Sequence, residues 1–289
     1  MGSQNTTQLS IGRIASLACL LEVCASKPGN VHRGADFPDM TLNDFVVSAE
    51  LLGQAIDSRK TDDLGLLILN AIKATQSLVS TNTNLGIVLL LCPLAIIAND
   101  GELTPTAMRK LLKNSTPEDA QYIYEAIRLA KPGGIGTSER LDVSGEAPQS
   151  ITTAMSVASD RDQVAQQYTN GFEQIFSDVV PLLETGQQQF NSVNEAIVYA
   201  HISMIARYGD SLIKRKGDEQ TSEHARMLAC QTLEKLIQGS REEYFAAISD
   251  FDFWLRSDGS QRNPGTTADL VTAGIFVAII QEKLTAPFN

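Results

Sequence analysis

The sequence predicts an all-α fold, a single domain over residues 1–289 built as a bundle of about 11–13 helices. Three observations predict it. Apolar residues recur at helical spacing along most of the chain, alternating strand-like runs are nearly absent, and helix start signals repeat. At 289 residues with 43% hydrophobic content, the chain can fill a sizeable core. No Ser/Gly/Pro-rich linker, charge block or internal repeat divides it.

The elements follow in order. Residues 1–7 read as disordered. Ile11, Ile14, Ala15, Ala18 and Leu21 then mark one face of a first helix. Further helices are expected at about 41–58, 62–80, 84–99, 104–113, 117–130, 160–184, 191–208, 210–216, 221–237, 240–255 and 267–283. Thr41 with Asp44, and Thr116-Pro117 with Asp119, supply the start signals. The run Leu85–Ala98 is the most apolar; it is too short to span a bilayer, carries Pro93, and reads as a core helix.

Composition narrows the function. A net charge of −11 argues against general nucleic-acid binding, which needs a basic face. It also means that any polyphosphate chemistry needs a local basic cluster, a divalent cation, or both. Cys19, Cys24, Cys92 and Cys230 form no CxxC pair; Cys19 and Cys92 read as buried thiols, which fits a reducing cytoplasm. No signal pattern marks the N-terminus. His32, His201 and His224 are scattered, and His201 falls on an apolar stripe as a core or boundary histidine.

Five constellations interrupt the helical rhythm. Glu22 falls on the apolar stripe of its own helix, where a carboxylate needs a partner: a catalytic role, a cation, or simply Lys27. Lys27-Pro28-Gly29 ends that helix, and His32 and Arg33 add positive charge. Thr81, Asn82, Thr83, Asn84 and Gly86 stand before the apolar helix, with more polar groups than one N-cap requires. Gly133, Gly134 and Gly136, followed by Arg140 and Asp142, form a glycine-rich loop that is neither a Walker A nor a dinucleotide fingerprint. In the stretch 206–217, a continuous helix would put Arg207, Asp210 and Lys214 on one face, with Arg215 and Lys216 extending the cluster. Last, Arg262-Asn263-Pro264-Gly265 is a turn. Thr266 there reads as a cap paired with Asp269, which could instead hold a metal ion.

Each motif alone has an ordinary structural explanation. Their order along one helical chain, above all KPGNVH and NPGTTADL, resembles the triphosphoribosyl-dephospho-CoA synthase family over about residues 14–283. His32, Leu85 and Asp210-Ser211-Leu212 depart from that family's usual residues, so the chain resembles a divergent branch. The resemblance implies transfer of the triphosphoribosyl group of ATP to the ribose 2′-hydroxyl of 3′-dephospho-CoA, with release of adenine. It further implies Mg²⁺ with ATP as substrate, a cytoplasmic location, and no nucleic-acid or membrane partner. A homodimer is compatible with it, although no heptad seam marks an interface. On this reading Glu22, Asp210 and Asp269 converge as base and Mg²⁺ ligands. Lys27, Arg215 and Arg262 cradle phosphates, and Arg33, Arg140 and Lys214 belong to the substrate site. Gly29, His32, Thr81, Asn82, Asn84, Gly86, Gly134, Gly136, Pro264 and Gly265 shape the substrate site. The alternatives keep the nucleotide site but change the acceptor, for instance to a pterin-type carrier, make the protein a Mg²⁺-dependent hydrolase, or leave it a non-catalytic nucleotide binder.

Overall fold

Apolar stripes at helical spacing have to be buried against one another, and the computed structural model shows how. It describes residues 9–101, 103–131 and 145–288. Residues 1–7, Gly133, Gly134, Gly136, Arg140 and Asp142 lie outside the described residues. Fourteen α-helices and no sheet occur among those described. They are α1 (Ile11–Cys24), α2 (Leu42–Asp57), α3 (Leu64–Gln76), α4 (Leu85–Asn99), α5 (Pro105–Lys113), α6 (Pro117–Ala130), α7 (Ile151–Ala158), α8 (Gln163–Asn170), α9 (Val180–Phe190), α10 (Val193–Tyr208), α11 (Ser211–Lys216), α12 (Glu219–Gln238), α13 (Arg241–Arg256) and α14 (Gly265–Ile280).

The centre is the pair α4–α14. Both helices are apolar nearly all round and buried nearly all round, so neither has a solvent face. Helix α1 packs on both, and α3, α9 and α10 complete the surround. Pro93 sits inside α4 without kinking it out of the core. Having no N–H, it leaves the carbonyl of Leu89 without its helical donor. The buried Tyr168 hydroxyl donates to that carbonyl at 2.6 Å. Among the described residues, no helix is long and apolar enough to cross a membrane.

The start signals hold. Thr41 with Asp44 and Thr116 with Asp119 form capping boxes. Two expectations are corrected. The helix expected over 160–184 breaks at Gly171 and Phe172, both at positive φ, resumes through a π-helical turn at 175–179, and runs on as α9 to Phe190. Helix α7 lies where none was expected. The separate helices expected at 191–208 and 210–216 are found: Gly209, at φ +67, ends α10, and α11 begins anew behind Asp210, so Arg207, Asp210 and Lys214 do not share one continuous helix face.

Candidate active site

A cavity of about 540 Å³ opens where several helices begin. The first turns of α4, α7, α8 and α14 all line it, through Leu85 and Gly86, Ile151 and Ala154, Asp162 and Val164, and Thr266 and Asp269. Each helix start carries roughly half a positive charge and unpaired N–H groups. In α4 the amides of Gly86 and Ile87 find no acceptor among the described residues. Four cations, Lys131, Arg161, Arg215 and Lys216, stand among the lining residues beside three carboxylates, Asp39, Asp162 and Asp269. A chain of strongly negative net charge thus builds one locally electropositive recess.

Asp269 is a half-buried carboxylate on the wall of that recess. It forms no hydrogen bond or ion pair among the described residues, unlike Asp162, which caps α8 and grips Arg215 at 2.7 Å. Enclosure by protein, then the nearby carboxylates of Glu22, Asp210 and Asp162, push its pKa well above the usual aspartate value; Arg215 opposes them. The expected capping role for Asp269 is not found. Pro264 is the N-cap, and the Thr266 hydroxyl instead receives a hydrogen bond from Ser211 Oγ at 3.1 Å. Gly86 makes the position of Asp269 possible: a Cβ there would stand 2.0 Å from Asp269 Oδ2.

Glu22 and Lys27 are a buried ion pair, Oε1 to Nζ 3.1 Å, with both side chains sealed from solvent. Burial raises the Glu22 pKa and lowers that of Lys27, each opposed by the other's charge. The Lys27 ammonium also donates to the carbonyls of Glu22, Ala25 and Val31, and so ties the KPG turn to the end of α1. It does not face the cavity, which corrects the expectation that it meets a phosphate. Gly29, at φ +73, donates to Asp252 at 2.7 Å, and a Cβ there would strike Leu255. Asn30 bonds Asn263 at 2.9 Å, so the two most specific sequence motifs meet in space. His201 is buried, and that burial holds its pKa near 3, keeping it neutral.

Asp210 is fully engaged. Oδ1 accepts from the amides of Leu212 and Ile213, and Oδ2 from the amide and hydroxyl of Thr267 at 2.7 Å each. One buried carboxylate therefore joins α11 to α14. Burial raises its pKa while these donors hold it down. The bracketing expected from Arg207 and Lys214 is absent: they pair with Asp178 and Glu219. Glu22, Asp210 and Asp269 consequently do not form one ligand set. No group of three or more His, Cys, Asp or Glu side chains poised for a metal occurs among the described residues.

The other expected residues divide. Thr81, Asn82, Gly86 and Arg215 line the cavity. Asn82 caps α4 through the Leu85 amide, while Asn84 turns inward to Thr75. Arg262 lies flat on the Trp254 ring, 4.5 Å from its centroid, and is held by Trp254 O and Ser257, away from the cavity. Gly265 packs under Leu212, and Pro264 beside Gly29. His32 accepts from Gly34, and burial beside Arg256 holds its pKa near 4; Arg33 is exposed. The cavity-lining Lys131, Arg161 and Lys216 and the apolar face of α7 were not singled out as site residues. The α7 stripe Ile151, Ala154, Met155, Ala158 was the available signal.

Fold and recess together describe an all-helical protein with a cation-lined cavity at its helix starts. Residues 8–288 match the family model described as CitG, ATP:dephospho-CoA triphosphoribosyl transferase. The chain belongs to that family of transferases. A solved structure from Archaeoglobus fulgidus, provisionally assigned as a triphosphoribosyl-dephospho-CoA synthase, aligns with a TM-score of 0.60. The alignment covers 83% of this chain and 98% of that one at 22% identity, which shows the shared fold. No curated protein matches the chain.

Proposed function

We propose that the recess binds ATP and 3′-dephospho-CoA and that Asp269 is the general base of triphosphoribosyl transfer. The observation that carries the proposal is a half-buried carboxylate with no hydrogen bond among the described residues, set among helix N-termini and cations. Its raised pKa makes the ionised carboxylate a stronger proton acceptor than an ordinary aspartate. The 2′-hydroxyl oxygen of the acceptor ribose forms a bond to C1′ of the ATP ribose, and the C1′–N9 bond breaks. Asp269 takes the hydroxyl proton, and adenine leaves with the bonding electrons and takes up a proton from water. Negative charge beside C1′ also favours the oxocarbenium-like passage between the two bonds.

Arg215, Lys216, Arg161 and Lys131 hold the triphosphate, which stays on the transferred ribose throughout. Mg²⁺ belongs to this scheme as a part of the substrate, Mg·ATP. Of the three carboxylates expected to bind it, Glu22 is committed to Lys27 and Asp210 to four donors, so they supply no resident cage. A cytoplasmic setting suits the free cysteines, since burial also pushes the Cys19 and Cys92 thiols up and keeps them unreactive. The test is a product assay with ATP, Mg²⁺ and 3′-dephospho-CoA. Free adenine together with a triphosphoribosyl mass gain on dephospho-CoA is the expected outcome. Adenine without that mass gain would refute the acceptor, and neither product would refute the transfer.

A further inference from the structure

The geometry points to a subsite for the departing adenine on the wall of the cavity formed by α6, α7 and α8, closed at its edge by Thr81. This assignment rests on the reading just given, and it names which part of which substrate lies where.

The cavity has two unlike walls. One is made by the starts of α4 and α14 with the α11 residues Arg215 and Lys216, and it carries Asp269. The other is apolar along its helix faces, with charge only where its elements end, at Lys131 after α6 and at Arg161 and Asp162 before α8. On α7, Ile151, Ala154, Met155 and Ala158 fall at i, i+3, i+4 and i+7, so a single helix face lines the space. Ile127 of α6 and Val164 of α8 continue that face on either side, and the three helices pack in sequence. A triphosphate has no favourable place on such a surface. A flat, uncharged heterocycle has, and the two alanines leave room for a ring face.

A second observation is independent of the apolar face. Thr81 Oγ1 is buried, belongs to a residue that lines the cavity, and makes no hydrogen bond among the described residues. An unpartnered buried hydroxyl costs about 1–3 kcal/mol, so it marks a place where a ligand atom completes the set. Thr81 lies in the turn between α3, which packs on α6, and α4, whose start belongs to the polar wall. A hydroxyl both donates and accepts, and the edge of adenine offers a ring nitrogen beside an amino group. Gly86, at the start of α4 in the polar wall, lies beside Asp269. Base on the apolar wall, ribose at Asp269 and triphosphate at Arg215 and Lys216 is then the one order that gives each part its chemistry.

The experiment combines calorimetry with steady-state kinetics on the wild type, Thr81→Val and Ala154→Leu, with circular dichroism to check folding. Free adenine should bind the wild type and inhibit competitively against ATP but not against dephospho-CoA. Each substitution should weaken adenine binding and raise KM for ATP by about tenfold, the worth of one hydrogen bond or of a filled ring site. KM for dephospho-CoA should change by less than about twofold, as expected of a group bound elsewhere. Competition of adenine with dephospho-CoA, displacement of adenine by pantetheine, or unchanged adenine affinity in both variants would overturn the assignment. Calorimetry of adenine decides the subsite even if the product assay finds no triphosphoribosyl transfer, so the two failures are distinguishable.

Discussion

Replacing Gly86 by alanine adds one methyl group and aims it at the proposed base. The new Cβ would stand 2.0 Å from Asp269 Oδ2 and 2.5 Å from its Cγ, where ordinary contact begins at 3.4 Å. The carboxylate therefore has to withdraw by about 1.4 Å. Displacement of a catalytic group by about 1 Å costs on the order of 10²-fold in rate, close to 3 kcal/mol of barrier. The helix itself tolerates the change, since alanine in place of helical glycine gains about 0.5–1 kcal/mol of backbone stability. The assay is adenine release at saturating ATP and dephospho-CoA, with thermal unfolding alongside. A kcat lower by about 10²-fold, at nearly unchanged Tm and KM for ATP, is the expected result. If the effect runs through Asp269, Gly86→Ala should add little to Asp269→Asn, because both act on one group. A kcat within about threefold of wild type would refute both the crowding and the role of Asp269.

The remaining expectations concern charge. Asp210→Ala strands four donors between α11 and α14 and should cost about 3 kcal/mol or more, read as a lower urea midpoint. Lys27→Ala leaves Glu22 buried and unpaired, a loss of about 3–5 kcal/mol that the double change Glu22→Gln with Lys27→Met should largely restore. Arg215→Ala should raise KM for ATP by about 10–100-fold and leave KM for dephospho-CoA near wild type. The acid limb of kcat/KM should lie at higher pH than for an ordinary aspartate and vanish in Asp269→Asn. Because the folded pKa of Asp269 is raised, its stabilising contribution is present below the unfolded value of about 3.9 and is lost as pH rises through the folded value. Asp269→Asn should accordingly raise Tm at pH 7, and that gain should disappear near pH 3; an equal gain at both pH values would contradict the linkage.

Much of the fold is written locally, and so was legible. The core helix over Leu85–Asn99 and the boxes at Thr41 and Thr116 depend on neighbours a few residues apart. The burial of Glu22 followed from its phase on α1, and Lys27 was the partner weighed for it. What escaped depends on distant contacts. Nothing near Asp210 announces that Thr267, 57 residues on, supplies half its hydrogen bonds. The break at Gly209 was legible, but a glycine gives no hint of its φ, so the separation of Arg207 from Asp210 and Lys214 was not. The same holds for Asp269, which looks like a capping residue until α4 is laid across it. Arg262 misled for a related reason: a charge in a motif was read as a ligand contact when an aromatic ring waited eight residues upstream.

The α4–α14 pair also sets a schedule. Helix α4 is complete at Asn99, but its main partner begins only at Gly265. Ribosomes add about 5–20 residues per second, so the interval is on the order of ten to thirty seconds. Throughout it, a helix with almost no polar side chain has to be sheltered by α1, α3 and whatever else has emerged. The N-terminal third of the chain is thus a nascent-chain hazard, and truncation before residue 265 should yield aggregates in place of a smaller soluble protein.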